Sequence, residues 1–157
     1  MEGLRVTDIG VIGGAGYVGL VAGVGLAALG HRVIAEDIDQ RRLEMLRAGK
    51  SAVYEDGLEA ILGELIEMDQ ISFTDDLSET VRGSEVLFIA VGTPSLADGA
   101  ADLSAVISVA EQLRDEIDRY TVIVVKSTVP VGTIEVVNDV LSQKLRERED
   151  FDVVSNP

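Results

Sequence analysis

The stretch VIGGAGYVGL carries glycines at a spacing that suits a phosphate-binding loop. Gly14, Gly16 and Gly19 satisfy the pattern G-x-G-x-x-G, which is informative only between a strand and a helix. In that setting we expect Gly14 to permit a tight turn, Gly16 to let the backbone approach a pyrophosphate, and Gly19 to let helix and strand pack closely. Backbone N–H groups near Tyr17 and Val18, together with the helix dipole, would then hold the anion.

An acidic residue follows these glycines at the distance that a dinucleotide site requires. Asp37 closes the next apolar run, eighteen residues after the last glycine of the pattern. Its carboxylate could accept hydrogen bonds from both adenosine ribose hydroxyls, at roughly 1.5–3 kcal/mol for each bond. A 2′-phosphate would instead meet negative charge at Glu36, Asp37 and Asp39, so we predict NAD rather than NADP. Arg41 and Arg42 leave two interpretations open, an exposed charge pair or a phosphate contact.

Two later apolar runs, VLFIAVG and TVIVVKS, each lead into a loop with a threonine. We assign Gly92, Thr93, Pro94 and Thr128 in these loops to the cofactor, because such loops lie on the ligand side of an α/β sheet. Helix capping is the ordinary alternative for Thr93 and Thr128. Lys126 ends a buried run, where lysine is seldom unpaired, so it either pairs with an acid or contacts ligand phosphate.

Histidine and cysteine chemistry is nearly absent from the sequence. His31 is the single histidine, and we expect it on the surface in the turn before the second strand, away from the ligand side. The chain has no cysteine, which excludes disulfides, zinc–thiolate sites and thiol nucleophiles within it. We therefore predict no metal site and no histidine general base.

Strand-like and helix-like segments alternate along the whole chain, with no internal repeat. The last two long apolar runs show no polar alternation, which is typical of strands buried on both faces. Predicted strands cover residues 6–13, 32–37, 71–74, 86–92, 121–127 and 151–155. Predicted helices cover residues 17–29, 40–48, 58–66, 77–81, 103–117 and 134–145, and Asp75 or Asp76 could cap the fourth.

These elements predict an α/β fold with a doubly wound, parallel, six-stranded sheet of the Rossmann type. Right-handed crossovers favour the strand order 3-2-1-4-5-6. In that order the loops after strands 1 and 4 face each other across the ligand crevice. We expect one domain over residues 1–157.

The chain is acidic, with a formal net charge of -15 and only three lysines. This charge argues against nucleic acid and anionic membranes as partners. It fits either a solvated acidic surface or an origin in a high-salt organism. No apolar run is long enough to span a bilayer, so we expect a cytoplasmic, soluble protein.

The motifs taken together resemble the UDP-glucose 6-dehydrogenases and the wider UDP-glucose/GDP-mannose dehydrogenase family. The resemblance runs from about residue 8 to residue 157. VGTP-x-x-x-DG-x-ADLS and KSTVPVGT are much more specific than the glycine pattern. In chain order, the segments that carry it are GAGYVGL, DIDQRR, YEDGL, FIAVGTPSLADGAADLS, VVKSTVPVGT and FDVVSNP.

The resemblance implies a role for individual positions. Asp37 and Arg42 would contact the adenosine ribose, and the backbone at Tyr17 and Val18 would hold the pyrophosphate of NAD. Thr93 and Thr128 would lie along the cofactor. Thr128 would be nearest the reacting centre, in a supporting catalytic role.

Two departures from the family pattern are present. The family's YEPGL reads YEDGL here, with Asp56 in place of proline, and both residue types can open a helix. The first loop reads GGAG where GTG is usual, which leaves open a one-residue shift in strand register before Gly14.

The family reaction oxidises a primary alcohol of a nucleotide sugar to a carboxylate and reduces two NAD. Its second half needs a cysteine thiolate, which this sequence lacks. The resemblance therefore implies the cofactor half of an enzyme that forms UDP-glucuronate, without the central helix and the UDP-sugar domain. We expect this chain to bind NAD without turnover, and its parent to be a homodimer. A standalone NAD(H)-sensing module, and a parent acting on UDP-N-acetyl sugars or GDP-mannose, remain the alternatives.

Overall fold

The computed structural model describes residues 5–146 and 149–157, so residues 1–4 and 147–148 of the predicted domain lie outside the described residues. Its centre is one parallel sheet of six strands in the order β3-β2-β1-β4-β5-β6, which confirms the predicted topology. The strands are β1 (Asp8–Ile12), β2 (Arg32–Glu36), β3 (Ile71–Thr74), β4 (Val86–Ile89), β5 (Thr121–Val125) and β6 (Phe151–Ser155).

Helices cover both faces of this sheet. They are α1 (Tyr17–Ala28), α2 (Gln40–Arg47), α3 (Leu58–Glu67), α4 (Leu77–Arg82), α5 (Ser104–Glu116) and α6 (Thr133–Leu141). Of the two acids offered as a cap for α4, the structure selects Asp76, whose Oδ1 accepts a hydrogen bond from the Glu79 backbone N–H at 3.1 Å. Asp75 instead accepts from the side-chain amide of Gln40.

Several elements are shorter than the hydropathy pattern predicts. β1 ends at Ile12 because Gly13 takes a left-handed backbone conformation, with φ of 81°, that a strand does not contain. α6 ends at Leu141 rather than near residue 145. Leu145 still packs on the core, because the turn after α6 brings its backbone N–H within 3.0 Å of the Leu141 carbonyl oxygen. The apolar pattern therefore reports burial beyond the end of the helix.

Two apolar layers sandwich the sheet. Val11 packs in the layer beneath α1, α2 and α3, while its neighbour Ile12 packs in the layer beneath α4, α5 and α6. This split follows from the strand geometry, since successive side chains point to opposite faces. Leu62 in the first layer and Phe151 in the second are completely buried.

All six strands end on one line. The last residue of β1, Ile12, is the register partner of Glu36 and Ile89, the last residues of its two neighbours. The same line continues outward, because Glu36 pairs with Thr74 and Ile89 pairs with Val125. Every loop that follows a strand therefore leaves from the same edge, which is where ligands bind in doubly wound sheets.

Candidate functional site

The glycine loop joins β1 to α1 and is held against the end of β2. The backbone N–H groups of Gly13 and Gly14 donate to the Glu36 carbonyl oxygen at 3.0 and 2.8 Å. The left-handed residue of the turn is Gly13, one position before the glycine to which the sequence assigned that role. Gly14 is needed for a different reason, because a Cβ there would lie 2.7 Å from the Cβ of Ala35.

The other two glycines of the pattern serve close packing at the start of α1. A Cβ on Gly19 would lie 2.2 Å from the Gly13 carbonyl oxygen, which is inside any permitted contact. This confirms that Gly19 lets the helix approach the strand. Gly16 precedes α1 with extended backbone, and a Cβ on it would meet the same oxygen at 3.3 Å. A Cβ at Gly19 would therefore displace the loop, whereas a Cβ at Gly16 would require a shift of a few tenths of an ångström.

The first turn of α1 presents its amides without a competing acid. Gly16 makes no side-chain cap, and no acidic residue lies in the first turn. Tyr17 and Val18 stand there with exposed side chains. The first N–H groups of any helix lack partners within the helix, so this end can hold an anion. The Tyr17 hydroxyl donates to Glu55 Oε2 at 3.1 Å, and that carboxylate raises the pKa of the Tyr17 hydroxyl.

Asp37 does more in the fold than the sequence indicates. Its Oδ2 accepts from the Ala15 backbone N–H at 3.0 Å, and its Oδ1 accepts from the Asp39 backbone N–H at 3.0 Å. The carboxylate therefore ties the glycine loop to the end of β2. Each oxygen keeps a further lone pair with which it can accept a hydroxyl donor.

The two arginines of α2 lie in different settings. The Nε of Arg42 is 3.3 Å from Asp39 Oδ2, while Asp39 Oδ1 also caps α2 by accepting from the Arg42 backbone N–H. Arg42 lines the cleft described next, whereas Arg41 is exposed and does not. Arg41 therefore fits the interpretation as an exposed charge. Arg42 lies at the cleft, where the family resemblance predicts a contact with the adenosine ribose.

A cleft of about 440 Å³ opens at the ends of β1, β2 and β4, and we call it the strand-end cleft. It brings together four of the predicted cofactor residues, of which Gly16, Asp37 and Gly92 come from three separate loops and Arg42 comes from α2. Its walls are mostly apolar, as suits a flat aromatic ring. The remaining lining residues are Ile12, Gly13, Glu36, Ile38, Leu77, Ala90, Val91, Ala105, Ser108, Val109 and Gln112.

Thr93 and Thr128 are brought together outside that cleft. The Thr93 hydroxyl donates to the Thr128 carbonyl oxygen at 2.8 Å, which links the loop after β4 to the loop after β5. The capping alternative is wrong for both, since α5 follows Leu103 and α6 follows Gly132. Pro94 lies beside them, and its carbonyl oxygen accepts from the Asp102 backbone N–H at 2.8 Å, closing the loop.

The side chains of Lys126 and His31 both form hydrogen bonds within the protein. Lys126 Nζ lies 3.3 Å from the Asn156 carbonyl oxygen and 3.2 Å from its Oδ1, so its partner in the described chain is an amide residue rather than an acid. His31 Nδ1 accepts from the Thr7 backbone N–H at 3.2 Å, just before β1 and β2 begin. As predicted, the histidine is at the opposite edge from the strand-end cleft.

Glu36 is the residue that the sequence interpretation undervalued. It is only 6% exposed, although it lines the strand-end cleft. Burial raises the pKa of its carboxyl from 4.5 to about 7, with further increases from the charges of Asp37 and Asp75, and the Gly13 backbone N–H opposes them. The sequence carried no clear signal of this burial, because Glu36 shares its face of β2 with exposed Arg32 and half-buried Ile34.

The described residues contain neither a candidate metal site nor a candidate membrane-spanning helix. In residues 5–146 and 149–157 no group of three or more histidine or acidic side chains is placed to hold a metal ion. None of the helices in that part of the chain has the length and apolar character needed to cross a membrane.

Comparison with known proteins gives a consistent result. The sequence model of the UDP-glucose/GDP-mannose dehydrogenase family, NAD binding domain, matches residues 7–157. A UDP-glucose 6-dehydrogenase of Pseudomonas aeruginosa is 45% identical over 147 residues, covering 92% of this chain and 32% of that protein. The structure of a UDP-glucose dehydrogenase from Pyrobaculum islandicum has a TM-score of 0.89 at 40% identity, covering 100% of this chain and 37% of that chain.

A second similar structure is that of an enzyme named for a different substrate. A GDP-mannose dehydrogenase from Pseudomonas aeruginosa, in a ternary complex, also has a TM-score of 0.89, at 35% identity over 96% of this chain and 36% of that chain. In each of these comparisons the chain spans about a third of the length of the protein it matches.

Proposed function

The chain belongs to the UDP-glucose/GDP-mannose dehydrogenase family, whose NAD-binding domain it matches, and we propose that it is the cofactor-binding part of a UDP-glucose 6-dehydrogenase. Its cofactor is NAD. The observation that carries the proposal is the strand-end cleft, where a glycine loop, an open helix end and a strand-end carboxylate meet.

The residues present fit this cofactor. The glycine loop leaves no room for a Cβ at Gly14 or Gly19, and this compactness holds the backbone amides of α1 toward the open edge. We assign the pyrophosphate to the amides of Tyr17 and Val18 beside Gly16, and the adenosine ribose to Asp37 and Arg42. When bound, NAD supplies an acceptor for the hydride that leaves the alcohol carbon of the sugar.

Asp37 also favours NAD over NADP. Its two oxygens can accept ribose hydroxyls while holding the loop through Ala15 and Asp39. A 2′-phosphate would lie beside Asp37 and Asp39, and such like-charge proximity costs several kcal/mol. Arg42, which lines the cleft, is already paired with Asp39.

The far end of the cofactor lies along the loops after β4 and β5 in this proposal. Gly92 lines the strand-end cleft, and Thr93, Pro94 and Thr128 continue the same edge beyond it. We assign the nicotinamide half to these residues, with Thr128 nearest the reacting atoms in a supporting role. The hydrogen bond between Thr93 and Thr128 keeps the two loops in a fixed relation.

The chain is proposed to bind NAD without oxidising a sugar. Oxidation to a carboxylate in this family proceeds through a cysteine, and the chain contains none. Residues 1–157 form the cofactor domain in this proposal, and sugar binding and dimerisation belong to other parts of the parent enzyme. The names of several relatives favour UDP-glucose as the substrate of the parent enzyme. The similarity to a GDP-mannose dehydrogenase leaves GDP-mannose as the alternative substrate.

Isothermal titration calorimetry of the chain with NAD and with NADP tests the cofactor assignment. We expect binding of NAD, at least about tenfold weaker binding of NADP, and weaker NAD binding by Asp37→Asn. Similar affinity for both cofactors would contradict the assignment of Asp37. Absorbance measurements should show no NADH formed from NAD and UDP-glucose, and steady NADH production would contradict the inactivity.

A standalone NAD(H)-sensing module would bind the cofactor in the same way, so another observation must separate it from a dehydrogenase part. The discriminating observation is the gene. A reading frame that continues into a cysteine-bearing second half supports the dehydrogenase. One that joins a transport or regulatory protein supports the sensor.

A further inference from the structure

Glu36 lies at the floor of the strand-end cleft and has no role in the proposed function above. It is the last residue of β2, with Ile12 and Thr74 as its register partners on the two neighbouring strands. The residue is 6% exposed, and Ile12 and Leu77 line the cleft beside it. A carboxyl is thus placed on an apolar surface where the fold would accommodate an aliphatic side chain more easily.

The groups around Glu36 do not neutralise a charge on it. Within residues 5–146 and 149–157, Glu36 forms no ion pair and no hydrogen bond with another side chain, and the Gly13 backbone N–H is the group that favours its ionised form. Asp37 follows it directly after β2, and Asp75, in the loop after β3, is near enough for its charge to act on Glu36.

Among the described residues, the remaining elements around the cleft add no unpaired cation. Arg42 on α2 lines the cleft but is paired with Asp39. From α5 the cleft receives only Ala105, Ser108, Val109 and Gln112, which carry no charge. As a result, burial and the two nearby acids raise the pKa of Glu36 to about 7.

We propose that Glu36 binds the adenosine part of NAD in its neutral form, so that cofactor binding takes up one proton from solvent when Glu36 is ionised beforehand. This inference rests on the proposed function, which puts the adenosine part in the strand-end cleft. A neutral carboxyl donates one hydrogen bond, and the ring nitrogens of adenine are acceptors. An ionised carboxylate can only accept.

Two physical effects favour the neutral form once the cofactor is bound. The adenosine part covers the cleft and removes the remaining water near the carboxyl of Glu36, a residue that is already buried. The pyrophosphate brings negative charge to the glycine loop, and the side chain of Asp37 lies against the same loop through its hydrogen bond from the Ala15 backbone N–H. Both effects disfavour a second carboxylate at Glu36, so the bound state holds the proton more tightly than the free state.

The consequence is a cofactor affinity that depends on pH. When the bound state keeps the proton, the dissociation constant for NAD rises about tenfold for each pH unit above the point where free Glu36 ionises. Below that point the affinity is constant. No proton moves within the protein, since solvent supplies it on binding and receives it on release.

Isothermal titration calorimetry of the chain with NAD, from about pH 6 to about pH 9, tests this inference. Repeating each titration in two buffers of different ionisation enthalpy counts the protons taken up. We expect uptake near zero at the acid end and approaching one proton per NAD at the alkaline end, with a parallel loss of affinity. Glu36→Gln should bind NAD with nearly constant affinity and without proton uptake.

The matched control is Glu64→Gln, which removes an exposed carboxyl on α3 and should keep the wild-type pH profile. Equal pH profiles for Glu36→Gln and the wild type would overturn the inference, as would zero proton uptake by the wild type, a result that needs no variant. Absence of NAD binding at every pH, in a wild-type chain that circular dichroism shows to be folded, would instead contradict the proposed function.

Discussion

The two ends of the proposed cofactor site are constructed differently. At the glycine loop, main-chain atoms are packed so closely that a Cβ on Gly19 would lie 2.2 Å from the Gly13 carbonyl oxygen. At the loops after β4 and β5, Thr128 is exposed, and side-chain hydrogen bonds from Thr93 and Ser127 join the two loops. A Cβ on Gly92 would meet nothing within 4 Å. The first end is rigid because of packing, and the second is open.

This difference indicates at which end of the proposed cofactor site binding depends most on the residues of this chain. In the proposed function the tightly packed end recognises groups common to every NAD molecule, so it gains from being preorganised. The open end lies where the nicotinamide and the substrate would meet in the proposed function. Substitutions should therefore have large effects at the packed end and small effects at the open end.

The largest effect is expected for Gly19→Ala. The added Cβ would force the Gly13 carbonyl and the start of α1 apart, which overpacking data put at about 1–3 kcal/mol of stability. NAD binding should fall below detection because the amides of the helix end would move. Urea unfolding and calorimetry measure the two effects.

Gly25→Ala is the matched control in the same helix, since nothing lies within 4 Å of its added Cβ. It should stabilise the chain by up to about 1 kcal/mol, because alanine is the better helix former. Equal effects of the two substitutions on stability and NAD binding would contradict the prediction that the loop depends on the close approach at Gly19.

Asp37→Asn should weaken NAD binding by about ten- to hundredfold, since it removes the charge from two hydrogen bonds and leaves one acceptor oxygen. The affinity for NADP should fall less, so the preference between the cofactors narrows. Asp69→Asn is the control, because Asp69 is exposed and asparagine tolerates its positive φ of 57°. An unchanged affinity of Asp37→Asn for NAD would contradict the assignment of the Asp37 carboxylate to the cofactor site.

Glu36→Gln should change the pH dependence of stability. The folded-state pKa of Glu36 is raised from 4.5 to about 7, so the folded chain binds the proton more tightly than the unfolded chain. The corresponding stability is present below about pH 4.5 and is lost as pH rises to about 7. Above that pH, Glu36→Gln should be more stable than the wild type by about 1–2 kcal/mol, after discounting for water in the cleft.

Urea unfolding at about pH 4.5 and about pH 8 measures this effect, with Glu64→Gln as the control for loss of an exposed carboxyl. The two proteins should be nearly equal in stability at the acid pH. A difference between wild type and Glu36→Gln that is the same at both pH values would contradict the titration of Glu36.

The smallest effect is expected at the open end. Thr93→Val removes the hydrogen bond to the Thr128 carbonyl oxygen, and that oxygen can bind water instead because Thr128 is exposed. The loss of stability should be below about 1 kcal/mol, and Thr93→Ser should restore it. A loss as large as that of Gly19→Ala would show that the open end is as rigid as the packed end.

Much of the fold could be predicted from particular runs of residues. The runs VLFIAVG and TVIVVKS are apolar without alternation, which only a strand covered on both faces requires, and they became β4 and β5. The ends of elements were predicted less well. β1 stops before Gly13 because of a backbone conformation, and hydropathy carries no information on φ at a glycine.

The candidate site divides in the same way. The sequence alone determined the strand order, the glycine pattern and the acid at the end of β2, because each depends on local spacing and on burial of whole segments. Only the tertiary structure decided that Asp37 holds Ala15, that Thr93 meets Thr128, and that Glu36 is enclosed with Asp75 nearby. These contacts join residues distant in the chain, and the field around a carboxyl depends on which neighbours the fold brings to it.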